Sequence, residues 1–377
     1  MTDRDPGAFS RVRRTSARVR VGAIPALVGA LLLAGLLIEV RADQRPLADH
    51  AVVLLYHHVS DDTPASTSVT PQRFEAHLDW LAAEGYAVRP LLELLDTLRA
   101  GEAVPERSVA LTFDDAWVSV HETAAPLLAE RGWPFTVFVN TDAVDAGEGP
   151  VMSWGQLREL AEAGAVLESH SASHGHLAGP ADGESRADWI ERVDADLARA
   201  VRRLEEETGR RPRAFAYPYG EDSTVLARRV ARHHEFALVQ RSGAIGPNSD
   251  FLALPRFPFA TGFDGLDRLE RAARSRPLPV SRAEPSPPGD GPREPLEQLV
   301  LSIDAGAYRA DAVACYGASG RALALETLTE GPPLRLAIDV AGIDSAGRNK
   351  VNCTAPAADG SGDWFWYAYQ WLRPPLR

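Results

Sequence analysis

The feature that most limits the fold is a series of short apolar runs that each end on polar or ionisable residues. Residues 51–56 (AVVLLY) run into His57-His58, and residues 108–113 (SVALTF) run into Asp114-Asp115. Residues 165–167 lead to Glu168-Ser169-His170, and residues 214–217 to Pro218-Tyr219-Gly220. Apolar runs of this length without alternation are typical of strands buried on both faces. Residues 135–139 and 236–240 supply two more such runs. Between them lie helical patterns at residues 71–84, 118–131, 154–163, 188–208 and 223–232, several closed by a glycine such as Gly85, Gly132, Gly164 or Gly209. Strand–helix alternation implies parallel strands covered by helices, and the carboxyl ends of such strands carry the active site. Four polar clusters are therefore expected on one rim.

Each cluster has a chemical reading and a plainer one. Side chains alternate along a strand, so Asp114 and Asp115 point apart; one can hold a metal while the other faces a water beside it. The plainer reading is a solvated turn or a helix N-cap. His170 and His174, four apart, can face one cation, or they can belong to a polar surface loop with His176. Pro218 and Gly220 fix a turn that can present the Tyr219 N–H to a site, or the turn is only a turn. One imidazole of the His57-His58 pair can act as acid or base near neutral pH, or cap a strand. The chain has only two cysteines, Cys315 and Cys353, so a thiolate zinc site is excluded and any metal must use His and carboxylate.

The two ends of the chain differ from this body. The first twenty residues carry Arg4, Arg11, Arg13, Arg14, Arg18 and Arg20. They precede an 18-residue run, residues 21–38, with no charged or polar side chain. That pattern predicts an uncleaved signal anchor within residues 1–45, with a cleaved signal as the alternative and the remainder exported. The net charge of −12 argues against nucleic-acid partners. Residues 277–296 are Pro-rich and read as a linker between a domain at 46–276 and a small all-β domain at 297–377. In that last domain residues 363–371 (DWFWYAYQW) crowd six aromatic rings on one strand. One face is expected to be core; the other is either core as well or stacks on sugar rings. A Cys315–Cys353 disulfide is expected if the domain is exported.

Taken in order, these segments resemble the polysaccharide deacetylase family with the NodB-homology domain (carbohydrate esterase family four). TFDDAWVSVHETAAPLLAERGWPFTVFVN is similar to its first motif, with Ala116 where glycine is common. MSWGQLRELAEAGAVLESHSASH is similar to the segment with its His-Ser/Thr-x-x-His motif, and FAYPYG to its third motif. The resemblance implies an α/β fold, a distorted (β/α) barrel of the NodB type, here with a C-terminal all-β domain. It implies Asp115, His170 and His174 as ligands of a divalent metal, with zinc first and nickel, cobalt or iron as alternatives. It implies Asp114 as general base, Tyr219 as oxyanion donor, and Pro218 and Trp154 on the substrate side. The arginine that orients the base in the third motif is replaced by Ala216. No histidine stands where the acid is usual; instead LLYHHV opens the domain. This is similar to the circularly permuted branch that acts on poly-β-1,6-N-acetylglucosamine, which would make His57 the acid and His58 the fallback. The implied activity is metal-dependent N-deacetylation of an extracellular amino-sugar polysaccharide. The alternatives are a catalytically weak or inactive glycan-binding protein and an O-acetyl polysaccharide esterase.

Overall fold

In the computed structural model, which describes residues 45–147, 149–285 and 295–373, the apolar runs are the parallel strands of a curled half-barrel. They are β1 (Val52–Tyr56), β2 (Ser108–Asp114), β3 (Thr136–Val139), β4 (Val166–Ser169), β5 (Ala214–Ala216), β6 (Phe236–Leu238) and β7 (Phe257–Pro258). Their spatial order is β6-β5-β4-β3-β2-β1-β7, and every pairing along it is parallel. The register sets Tyr56 opposite Phe113, Asp114 opposite Phe138, and Val139 opposite Ser169. The residues that follow β1, β2, β4 and β5 therefore meet on one rim, as the alternation predicts. All of β1 and β2 is buried, which is why neither strand alternates in polarity.

Helices α1 (Pro71–Ala83), α2 (Leu91–Arg99), α3 (Ala125–Glu130), α4 (Thr141–Ala146), α5 (Trp154–Glu162), α6 (Arg186–Thr208), α7 (Thr224–Val230) and α8 (Leu266–Ala273) accompany the sheet. Five of these lie in the patterns read from sequence; α2, α4 and α8 are additional. Local chemistry sets their ends. Ser153 and Gln156 form a reciprocal capping box on α5. Ser185 caps α6, and Gly209 closes it at φ +69°. The inward stripe of α6 runs through Trp189, Val193, Leu197, Ala200, Val201 and Leu204, with one polar member, Asp196.

The C-terminal region is a sandwich of two four-stranded sheets. One contains β8 (Ser275–Pro277), β11 (Ala314–Gly317), β14 (Gly347–Pro356) and β15 (Trp364–Arg373). The other contains β9 (Val280–Glu284), β10 (Gln298–Ile303), β12 (Leu325–Thr329) and β13 (Leu334–Asp339). The stretch read as linker thus begins as strand: β8 and β9 each gain a backbone ladder that their prolines and charges do not advertise. Residues 286–294 of that stretch, and the whole N-terminal tail with its apolar run, lie outside the described residues. No helix among the described residues is long and apolar enough to cross a membrane. Cys315 and Cys353 sit opposite each other on β11 and β14 and form a disulfide.

Strand β15 uses both faces for packing. Phe365, Tyr369 and Trp371 enter the sandwich core. Trp366 and Leu372 turn the other way and pack against clusters of the half-barrel, Trp366 edge-on to Phe257 at 5.3 Å. Of the aromatic rings read as a sugar-stacking face, only Trp364 is exposed. Among the described residues the sandwich therefore packs directly against the half-barrel.

Candidate active site and metal centre

The site is built where four strand ends leave regular backbone. Six non-glycine residues have positive φ among the described residues, and five flank the site: Asp115, Ala116, Ser171, His174 and Tyr219. Such conformations cost about 1–3 kcal/mol each and persist only where surrounding structure enforces them. Ala116, at φ +54°, occupies the position where the resemblance leads one to expect glycine, and its backbone shows why glycine suits it.

Three donors converge there. Asp115 Oδ1 is 3.2 Å from His170 Nε2 and 3.1 Å from His174 Nε2. One ligand atom from each residue lies within 4.8 Å of the others. Asp115 Oδ1 and His170 Nε2 are both buried and neither makes a hydrogen bond of acceptable geometry. The tautomer of His170 is fixed from behind, because Nδ1 donates to the Ala216 carbonyl at 2.8 Å and so leaves the Nε2 lone pair facing inward. Burial pushes the Asp115 carboxyl up, but the two imidazoles facing it bring it well below the ordinary range, so it is a carboxylate. Its other oxygen accepts from Trp117 Nε1 at 3.1 Å. Tetrahedral ligands about 2.0–2.2 Å from one zinc stand roughly 3.3 Å apart, so this donor set fits a divalent ion with two His and one carboxylate. The structure thus brings the three candidate ligands, Asp115, His170 and His174, together.

The loop holding the histidines is tied down by Asp196, which accepts from the backbone N–H of Ala172 at 2.9 Å and of Ser173 at 3.0 Å. Ser171 Oγ accepts from the His174 N–H. Asp196 is nearly inaccessible, at 3% exposed, and is the polar interruption in the α6 stripe. That interruption is the signal by which sequence alone points to it.

Asp114 is paired with Arg256, at 2.7 Å (Oδ1 to Nη1) and 2.8 Å (Oδ2 to Nη2). Burial raises the Asp114 carboxyl, and Arg256 with His170 more than offsets this, so it is held below the usual range. Asp114 Oδ2 lies 3.9 Å from His170 Nε2, which sets the carboxylate beside the donor triad. The arginine absent from position 216 is therefore supplied from just before β7. Its signal in the sequence is a lone charge inside an apolar run (ALPRFPFA), where burial demands a partner.

His57 and His58 separate in role. Burial holds His57 below its ordinary value, although the charges of Asp114 and Asp115 reach it and act the other way. Its Nε2 lies 3.5 Å from Gln240 Nε2. His58 stacks on Trp117 at 4.2 Å between ring centroids, and burial beside His57 pushes it down to about 4, where it is neutral at pH 7. A cleft of about 340 Å³ opens on the His58 side, lined also by Asp61, Asp62, Ser119 and Glu122, and not by the triad. Tyr219 packs its ring edge-on to His174 at 4.7 Å and stacks on His176 at 4.3 Å, while His176 Nδ1 pairs with Glu221 at 2.8 Å. Pro218 is buried at the start of that turn. Trp154 is not brought to the site. Its indole N–H donates to Asp145 at 2.7 Å and its ring lies under Arg203, among α4, α5 and α6. The tryptophan that contacts a site carboxylate is Trp117.

Residues 101–239, which contain all three donors, Asp114 and the Tyr219 turn, match the family model described as polysaccharide deacetylase. Over those residues the chain carries a polysaccharide deacetylase domain. It is thus a hydrolase of the deacetylase type. It is 26% identical over 228 residues to the poly-β-1,6-N-acetyl-D-glucosamine N-deacetylase of Staphylococcus epidermidis, covering 55% of this chain and 78% of that one. It is 27% identical over 205 residues to the Escherichia coli protein of the same name, covering 45% of this chain but only 30% of the relative. The structure of IcaB from Ammonifex degensii superposes with a TM-score of 0.53 at 26% identity, covering 60% of this chain and 97% of that chain.

Proposed function

We propose that this deacetylase hydrolyses N-acetyl groups on a poly-N-acetylglucosamine polymer, with a divalent metal held by Asp115, His170 and His174. The observation that carries the reading is the Asp114–Arg256 pair set beside that triad. Bound there, the metal supplies Lewis-acid activation of water and of the acetyl carbonyl. Asp114, kept ionised and oriented by Arg256, takes the proton from the attacking water; each of its oxygens retains a lone pair beyond the one given to Arg256. The Tyr219 N–H donates to the oxyanion as it develops. His57, within reach of the fields of both carboxylates, passes a proton to the departing amine. His58 is the poorer candidate, because its ring is stacked on Trp117. The names of the relatives support the substrate. The reading as an inactive glycan binder rested on a missing arginine and an ambiguous acid, and Arg256 removes the first of these grounds.

Acetate release from poly-N-acetylglucosamine and from an O-acetylated polymer, by metal-stripped protein with and without zinc added back, tests the proposal. The expected result is zinc-dependent release from the N-acetylated polymer that Asp114→Asn abolishes. Release from the O-acetylated polymer alone would overturn it in favour of the esterase reading. We further propose that the protein is exported and held by the apolar run at residues 21–38. The Cys315–Cys353 disulfide supports an oxidising compartment. Recovery of the full-length protein in the soluble fraction after export would overturn the anchor.

A further inference from the structure

The C-terminal sandwich reaches the oxyanion turn directly. The inner face of β15 that carries Trp366 and Leu372 also carries Gln370, which has no exposed surface. Gln370 Nε2 donates to the Gly220 carbonyl at 2.7 Å and to Asp222 Oδ1 at 2.9 Å. On β14, the Arg348 guanidinium donates to the Tyr219 carbonyl. Two successive carbonyls of the turn are therefore held by side chains from the other half of the molecule.

The turn needs holding. Tyr219 sits at φ +58° and Gly220 at φ +67°. A non-glycine residue in this region is sterically costly, and such strain clusters where function requires a fixed geometry. The turn is also wedged: a Cβ on Gly220 would lie 2.5 Å from Gln240 Cβ and 2.7 Å from Arg348 Nη1. Only glycine fits between strand β6's continuation and the sandwich. The family model's match ends at residue 239, ahead of every sandwich strand, so the turn lies inside the matched region while Arg348 and Gln370, which hold it, lie outside.

We propose that the sandwich is part of the catalytic apparatus, with Gln370 and Arg348 as positioning residues that hold the Pro218-Tyr219-Gly220 turn against His174. Neither touches the reacting atoms. They act through the Tyr219 peptide, whose N–H must be in place before charge develops on the oxyanion. This rests on the deacetylase reading of the site. It replaces the idea of a sugar-binding accessory domain with that of a buttress.

The test uses full-length protein and three variants. Gln370→Met keeps the volume and removes both donated hydrogen bonds, along with Oε1, which is buried without a partner. Arg348→Met removes the other donor, and Val351→Ala opens a cavity in the sandwich core as a stability control. Acetate release is measured on p-nitrophenyl acetate and on the N-acetylated polymer, with zinc content, and hydrogen exchange is followed in the peptide spanning residues 217–223. The expected result for Gln370→Met and Arg348→Met is a 10- to 100-fold fall in kcat, with KM within about twofold and zinc content intact. The 217–223 peptide should exchange at least tenfold faster in both. Val351→Ala should lower Tm while leaving kcat and that peptide unchanged. Unchanged exchange and kcat in both donor variants, or losses that merely track Tm as in Val351→Ala, overturn the proposal. Faster exchange in a protein that releases acetate from neither probe upholds the buttress and sinks the deacetylase reading instead.

Discussion

Arg256 grips Asp114 through two parallel hydrogen bonds, at 2.7 and 2.8 Å, where neither side chain meets solvent. A buried pair of this kind gains little against an apolar replacement of the whole pair, but removing one partner strands a charge and costs about 3–5 kcal/mol. Arg256→Met is therefore expected to lower the stability measured in urea by about that much. Arg256→Lys keeps the charge but loses the fork that orients the carboxylate. It should remain folded and release acetate at least tenfold more slowly. Wild-type kcat in the Lys variant would mean that Asp114 does not depend on Arg256 for its orientation.

Why the sequence reading found Asp114 but not Arg256 has a physical cause. The candidate ligands and the candidate base sit at or just after strand ends, and strand ends are visible as the point where an apolar run stops. Asp115, His170, His174 and Tyr219 were legible for that reason. Arg256 and Asp196 act across the fold, 142 residues from Asp114 and 24 from Ala172, and only the sheet order brings them together. Each left a trace as a single polar residue in an apolar setting. Trp154 was misplaced because a tryptophan near a motif says nothing about the direction in which its helix faces. The strands β8 and β9 were hidden by proline and charge, since an edge strand tolerates both.

Asp196 offers a test of loop control over metal affinity. Its two oxygens each hold one backbone N–H of the segment between His170 and His174. Asp196→Asn keeps one acceptor and turns an N–H₂ toward the other N–H. Groups that orient ligands from behind typically contribute 10- to 100-fold in metal affinity. Zinc binding followed by competition with a chelating dye should weaken by about that factor, with the half-barrel still folded. Unaltered affinity would show that the loop is set by Ser171 and its own backbone.

The triad predicts a metal-dependent stability. A ligand that binds only the folded state stabilises it by about 2.7 kcal/mol at a free concentration one hundred times its Kd. Zinc added to stripped protein should raise Tm in proportion to the logarithm of its concentration. His174→Ala should abolish the shift, because Asp115 and His170 alone leave two donors. A Tm shift that survives His174→Ala would place the stabilising ion somewhere other than this triad.

His234 sets a pH limit on stability that owes nothing to the metal. It follows α7, is 4% exposed, and neither ring nitrogen has a hydrogen-bond partner. Burial, then the neighbouring His233, pushes it down to about 3 from an ordinary 6.5. Between those values the unfolded chain binds a proton at this position that the folded chain refuses. Stability therefore rises with pH across that window and is lost as pH falls through it, by about 3 kcal/mol between pH 7 and pH 4. The Phe215 ring, 5.3 Å away, shows that an apolar side chain suits the site. His234→Leu should make stability flatter from pH 7 to pH 4. It should also be stabilising at pH 7, because the neutral imidazole buries an unpaired N–H at a cost of about 1–3 kcal/mol. Urea unfolding at the two pH values checks both statements, and a variant as acid-sensitive as the parent would assign the acid lability to other groups.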